Sequence, residues 1–111
     1  MPLPNFERAV IDPVKLANYS LNLGHDKGKH KARVFRSTLG LTAERWRELH
    51  DAIRTAIKSE PAAESTAGTF GKRYTVDFTM TTAKGSATVR SCWIVLRGQD
   101  VPRLTSCFVL L

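Results

Sequence analysis

The chain has 111 residues and carries 17 Lys and Arg against 10 Asp and Glu, which gives a formal net charge of +7. This length allows one domain spanning residues 1–111 and excludes two ordinary domains. Such a chain buries roughly 65% of its unfolded surface, enough for a core without disulfide or metal support. The charge favours a nucleic acid, an acidic protein or an anionic membrane surface as partner, although charge also serves simply to keep a protein in solution.

Simple sequence features exclude several cellular contexts. There is no run of about 18 apolar residues, so no transmembrane helix and no membrane partner are expected. The N-terminus lacks the basic start and apolar stretch of a secretory signal. The two cysteines, Cys92 and Cys107, are too few for a disulfide framework or a thiolate zinc site. We therefore expect free thiols and a cytoplasmic location.

The first half of the chain predicts three helices. Asp12 followed by Pro13 is typical of a helix start, and this short helix would bury Leu16, Tyr19 and Leu23.

The second and third helices are predicted from their apolar periodicity. The second would begin near residue 26 or 28 and end near residue 39, with Gly40 as the residue that follows it. The third would run over residues 43–59, with Thr42 as its cap. Its core face would be formed by Trp46, Leu49, Ile53, Ala56 and Ile57.

The second half changes to a period of two, which predicts strands. Residues 60–68 are small and polar and predict a mobile loop between the halves. One strand is expected near residues 70–81, a hairpin turn at 83–86 and a return strand at 87–96. A last strand is expected over residues 103–111.

Together these elements predict an α+β fold. Three N-terminal helices would pack on one face of a C-terminal antiparallel sheet of three strands, or of four if the N-terminal arm pairs with it. If Leu104, Ser106 and Phe108 face the helices, alternation places Thr105 and Cys107 on the open face of the sheet.

Residues 24–36 are the densest charged segment, with five Lys or Arg, two His and one Asp. A glycine-containing loop that leads into a helix presents backbone N–H groups and cations to a phosphate, so binding would depend on salt. The expected RNA-binding residues are Lys27, Lys29, His30, Arg36 and, on the last strand, Arg103. A solvated basic helix face is the alternative interpretation.

The same segment suggests a reaction. RNA cleavage without a metal needs a base for the 2′-OH, an acid for the leaving oxygen and a cation for the phosphorane charge. His25 lies in the loop and has the chemistry for the first two roles, unless it is an ordinary surface histidine. His50 is expected to be structural. The Thr105 hydroxyl would bond a phosphate oxygen or belong to an ordinary strand residue.

Other site chemistry is not supported. His25 and His30 are five residues apart with only Asp26 nearby, so no metal site is expected. No HExxH, paired CxxC, GxSxG or glycine-rich phosphate motif occurs. We therefore expect no metal and no cofactor.

Stretches over nearly the whole chain carry a family resemblance. They are LPN at 3–5, AVIDPVKL at 9–16, YSLN at 19–22, GH at 24–25 with KARVF at 31–35, and VPRLT at 101–105. With them the chain resembles a little-characterised bacterial domain that occurs as a small stand-alone protein, often beside an antitoxin gene. It is also similar to the C-terminal modules of some phage-head and polymorphic toxin chains.

The order of helices before sheet is similar to that of the metal-independent ribonuclease toxins of the barnase–EndoU–colicin–RelE group. There a histidine and a basic residue from the helical half face a hydroxyl, often with an aromatic, on a late strand. By position this resemblance implies catalytic roles for His25, Lys31, Arg33 and Thr105. His25 would be base or acid, Lys31 and Arg33 would hold the phosphate, and Thr105 would support it. Cys107 departs from the aromatic of that pattern.

The resemblance implies a metal-independent ribonuclease toxin of a toxin–antitoxin or polymorphic toxin system, with RNA as substrate and an acidic antitoxin or immunity protein as partner. One alternative is a non-catalytic nucleic-acid-binding module. Another is an interaction domain whose basic face docks an acidic protein. The apolar end at residues 108–111 would allow pairing with such a partner or a homodimer.

Overall fold

A computed structural model describes residues 1–111, apart from the side chains of residues 66 and 67. The fold is α+β, as predicted, with helices in the first half and a sheet in the second. The helices are α1 (Pro13–Lys15), which continues into a π-helical turn (Leu16–Ser20), α2 (Lys29–Leu39) and α3 (Trp46–Ser59). The strands are β1 (Ala62–Gly68), β2 (Gly71–Thr81), β3 (Ser86–Leu96) and β4 (Pro102–Val109). Within these residues no helix is long and apolar enough to cross a membrane.

The first helix begins as predicted and then departs from regular α geometry. The Asp12 carboxylate accepts a hydrogen bond from the Val14 N–H at 3.0 Å. The π-helical turn adds a residue per turn and shifts the periodicity. Leu21 is therefore buried, whereas Leu23 is 40% exposed and the prediction that it faces the core is wrong.

The two longer helices match their predicted faces. Gly28 is the N-cap of α2, and Gly40 follows the helix in the left-handed conformation (φ 68°). The buried residues of these helices are Ala32, Phe35, Leu39, Leu49, Ile53, Ala56 and Ile57. The side-chain cap predicted for Thr42 is wrong, because the chain enters α3 through a 3-10 turn. There the Thr42 carbonyl accepts the Arg45 N–H at 3.0 Å, and the hydroxyl makes no cap bond.

The sheet is antiparallel with strand order β1-β2-β3-β4. Its fourth strand is β1, so the prediction of a mobile loop at residues 60–68 is wrong. This segment has weak strand propensity, but β2 offers it a backbone template, and such pairing overrides propensity. The N-terminal arm makes only one parallel bridge, between Val10 and Arg103.

A β-bulge in β4 decides which side chains face the helices. Cys92 pairs with Ser106 while Trp93 pairs with Leu104, so Thr105 is the extra residue. The bulge reverses the alternation after it. Cys107 consequently lies on the helix side, fully buried, and its predicted place on the open face is wrong.

Ser106 and Phe108, opposite Cys92 and Arg90, lie instead on the open face, which corrects the sequence-based assignment of both to the helix side. Both thiols are free. The buried Cys107 thiol lies 3.5 Å from the Ser20 hydroxyl, and burial raises its pKa to about 12.

Candidate functional site

The outer face of α2 carries three cations. Lys29, Arg33 and Arg36 recur at spacings of four and three, which places them along one side of the helix. Among the described residues none of them pairs with a carboxylate. Elsewhere several cations do have acidic partners, in the pairs Arg8–Asp100, Arg45–Glu48, Lys72–Glu64 and Arg90–Asp77. The charges of Lys29, Arg33 and Arg36 are therefore not neutralised by a carboxylate.

A shallow cleft lies at the C-terminal half of this helix. It has a volume of about 500 Å³ and is lined by Leu23, Arg33, Arg36, Ser37 and Lys84. Three of these five residues are cations and none is acidic. The cleft is therefore a concave surface of a single charge sign, a shape that concentrates anions.

Lys84 reaches this cleft from the turn between β2 and β3. The turn docks on the end of α2, where the Thr82 hydroxyl donates to the Leu39 carbonyl at 2.7 Å. Gly85 allows the close approach, because a Cβ there would lie 3.2 Å from the Thr38 carbonyl oxygen. The Lys84 ammonium donates to the Arg36 carbonyl at 3.2 Å. Sequence reasoning missed Lys84, since nothing near it in the chain marks its contact with α2.

His25 closes the loop before α2. Its Nδ1 accepts hydrogen bonds from the backbone N–H groups of Lys27 and Gly28, at 3.1 and 3.0 Å. These two contacts assign the hydrogen of the neutral ring to Nε2. In this arrangement Nδ1 is occupied, and Nε2 offers a donor to a ligand but no lone pair to act as a base.

The His25 ring belongs to a cluster of rings and one cation at the edge of β4. It packs against Tyr19 with ring centroids 4.8 Å apart. The Lys31 ammonium lies 5.1 Å from the centroid of Tyr19 and 5.2 Å from that of Phe108. Lys31 thus joins the π-helical turn to the last strand through two cation–π contacts.

The four residues expected to be catalytic do not form one cluster. His25 and Lys31 both contact the Tyr19 ring, at 4.8 and 5.1 Å from its centroid. Arg33 lies about 200° around the helix from Lys31 and lines the cleft with Lys84. The Thr105 hydroxyl donates to the Cys92 carbonyl at 3.1 Å within the bulge.

The remaining predicted binding residues divide between two surfaces. Lys27 and His30 are exposed at the start of α2, next to the half-buried Lys29. Arg103 is exposed on β4, opposite Ile94 and away from the helices. His50 lies 3.0 Å from the Asp51 carboxylate and packs edge-on against Trp46. In the described part of the chain, no three His, Cys, Asp or Glu residues come together as a metal site would require.

Comparison with known proteins places the chain in a family. Residues 2–111 match the model of DUF6883, a domain of unknown function. Since the match spans nearly the whole chain, the protein belongs to the DUF6883 family. No curated protein and no solved structure matches the chain.

Proposed function

We propose that this domain binds RNA through the basic surface of α2 and the β2–β3 turn. One observation carries the proposal: Arg33, Arg36 and Lys84 converge on one cleft that has no acidic lining residue. A planar guanidinium forms two parallel hydrogen bonds to a phosphate, and an ammonium adds a point charge. The cleft would hold one phosphate, and Lys29, which lies along the same face of α2, would bind the neighbouring phosphate of the RNA backbone.

Aromatic rings on the other flank of α2, around Lys31, would favour unpaired nucleotides over duplex DNA. Tyr19 and Phe108 are half-buried and flank Lys31. Bases that are not paired can stack on such rings, and single-stranded RNA is commonly recognised by stacking combined with backbone charge.

RNA cleavage is the second candidate, and the contact of His25, Tyr19 and Lys31 is the observation that favours it. Lys31 would stabilise the phosphorane charge, and the Nε2–H of His25 would donate a hydrogen bond to a phosphate oxygen. The 2′-OH also needs a base, and His25 supplies one only if Nδ1 releases its two backbone N–H groups. This is why binding ranks above cleavage. A toxin role depends on cleavage, and an acidic antitoxin would then cover the α2 surface.

The binding proposal is tested with a fluorescently labelled single-stranded RNA and two variants of equal charge. The cleft variant combines R33A, R36A and K84A. The matched control combines K15A, K58A and R97A, which removes three exposed cations elsewhere. Anisotropy titrations between about 50 and 200 mM salt give the slope of the logarithm of the binding constant against the logarithm of the salt concentration. Each phosphate contact on a single strand contributes about 0.7 to this slope, so the loss of three cations should make it shallower by about 2 in the cleft variant only.

Equal weakening of both variants would contradict a defined site, because it would reflect net charge alone. Binding of polyglutamate as tight as that of RNA would favour the acidic-protein alternative. The same RNA, incubated with protein in EDTA and run on a denaturing gel, reports cleavage. Discrete fragments from the wild type that disappear with Lys31→Ala would support a ribonuclease. Intact RNA would contradict cleavage and leave RNA binding as the supported function.

A further inference from the structure

The sheet has an edge that the chain leaves only partly covered. β1 pairs with the first half of β2, and their register begins at Ala62 opposite Val76. β2 continues to Thr81, so residues 77–81 extend beyond the end of β1. Pro61 precedes β1 and has no N–H to donate to the ladder, which ends the pairing at this point.

The free backbone groups on this edge alternate along β2. Thr82 N–H bonds to the Gly85 carbonyl at 2.8 Å, which sets the alternation of the β2–β3 ladder. Phe78 and Met80 therefore direct their backbone groups to β3, and Thr79 and Thr81 direct theirs outward. No backbone partner for these outward groups exists within the described chain. An edge of this kind accepts another strand.

A groove runs beside the same edge, between α3 and β2. Its volume is about 790 Å³, larger than that of the cleft on α2. Its floor includes the apolar side chains of Ala52, Ala56, Phe78 and Met80. An added strand would thus find backbone partners on one side and an apolar surface for its inward side chains.

The rim of the groove is acidic on a protein that is otherwise basic. Three carboxylates line it, those of Glu48, Asp51 and Glu60, against the single cation Arg45. Arg45 is bound to Glu48 at 2.7 Å. The neighbouring Asp77 is held by Arg90, a contact that lowers the pKa of its carboxyl. Glu60 and Asp51 therefore give the rim a net negative charge.

We propose that residues 77–81 of β2 bind a basic, extended segment of a partner protein, which adds to the sheet as a further strand. Backbone hydrogen bonds to Thr79 and Thr81 would supply affinity. Alternate apolar side chains would enter the groove, and lysines or arginines would meet the carboxylates of Glu48, Asp51 and Glu60. The charge of the rim selects this partner over RNA and over an acidic protein.

The test uses isotope-labelled full-length protein and a short synthetic peptide of alternating lysine and valine. Amide resonances of Thr79 and Thr81 should shift, and their hydrogen exchange should slow by about tenfold or more at saturation. A peptide of alternating glutamate and valine is the matched control and should produce neither effect. Resonances on α2 should stay in place with both peptides.

Two pairs of variants separate the backbone and charge contributions. Thr79→Pro removes an outward N–H that the fold does not use, and Thr79→Val keeps it. Only the proline variant should lose peptide binding, by about tenfold or more. The double variant D51K/E60K should also lose it, whereas Glu7→Lys, at an exposed site outside the groove, should not. Circular dichroism checks that each variant is folded, and D51K/E60K remains informative if Thr79→Pro is not.

Three results would overturn the proposal. The first is peptide binding that leaves the Thr79 and Thr81 amides unchanged. The second is equal binding of the acidic peptide, or no binding of the basic one. The third is a concentration-dependent dimer that Thr79→Pro abolishes, because the occupant of the edge would then be a second copy of the chain.

Discussion

Replacement of His25 gives the sharpest test of how the loop before α2 is held. In His25→Ala the N–H groups of Lys27 and Gly28 both lose their acceptor. Lys27 is exposed, so water replaces its bond. Gly28 is buried, and an unpaired buried N–H costs about 1–3 kcal/mol. Loss of the ring contact with Tyr19 adds about 0.5–1 kcal/mol. Together these predict a fall in Tm of about 6–20 °C for a domain of this size.

His25→Asn should retain most of this stability. An asparagine carboxamide oxygen occupies nearly the position of Nδ1 and readily accepts N–H bonds two and three residues ahead. We expect a loss below about 1 kcal/mol. His30→Ala is the matched control, since His30 is exposed and lies at the start of the same helix. It should change stability by less than about 0.5 kcal/mol.

Thermal unfolding followed by circular dichroism measures all three variants. If His25→Ala is as stable as His30→Ala, or if His25→Asn is as unstable as His25→Ala, the acceptor role is refuted. His25→Asn also serves the RNA assays, because it keeps the loop closed and removes the imidazole. Cleavage that survives in this variant would exclude His25 as acid or base.

Two further predictions follow from the same structure. Gly28→Ala should destabilise the protein by about 1–3 kcal/mol, because the new Cβ would overlap the Tyr19 carbonyl oxygen. Gly24→Ala is its control in denaturant unfolding, since a Cβ there meets only the Asn22 side chain at 3.4 Å. Equal losses of stability in the two variants would contradict the close approach of Gly28 to Tyr19. At pH 8 only Cys92 of the native protein should react with a thiol reagent such as DTNB, since Cys107 is buried and its pKa is about 12. The Cys92→Ser variant should then react only after denaturation. Rapid reaction of both thiols in the native state would contradict the burial of Cys107.

The elements with a long local pattern were predictable. Helices α2 and α3 each repeat apolar residues over several turns, and Gly40 ends α2 in the left-handed conformation that glycine favours. β2 alternates strictly, so one of its faces had to be buried. These features depend on residues close together in the chain, and the sequence contains all of that information.

The sheet register was not predictable in the same way. β1 consists of small and polar residues whose strand conformation comes from pairing with β2. The bulge at Thr105 inserts one residue and thereby moves Cys107 from the open face to the core. Neither event has a local signal, because each is decided by which backbone groups a neighbouring strand presents.

The candidate site shows the same division. The cations of α2 were identified from their spacing, and their common face follows from helical geometry. Lys84, 48 residues away from Arg36, joins them only because the β2–β3 turn docks on the end of the helix. The position of His25 was predicted, but the occupation of its Nδ1 by two backbone N–H groups was not.

Composition and periodicity therefore determined that this chain is basic, that its fold is α+β and that three cations lie along one face of α2. Only the tertiary structure decided which cations share a cleft, which nitrogen of His25 is occupied and which edge of the sheet is free. The physical reason is the sequence separation of the interacting residues. Helical faces and strand alternation are set by residues a few positions apart, whereas clefts and sheet edges depend on which segments distant in sequence pack against each other.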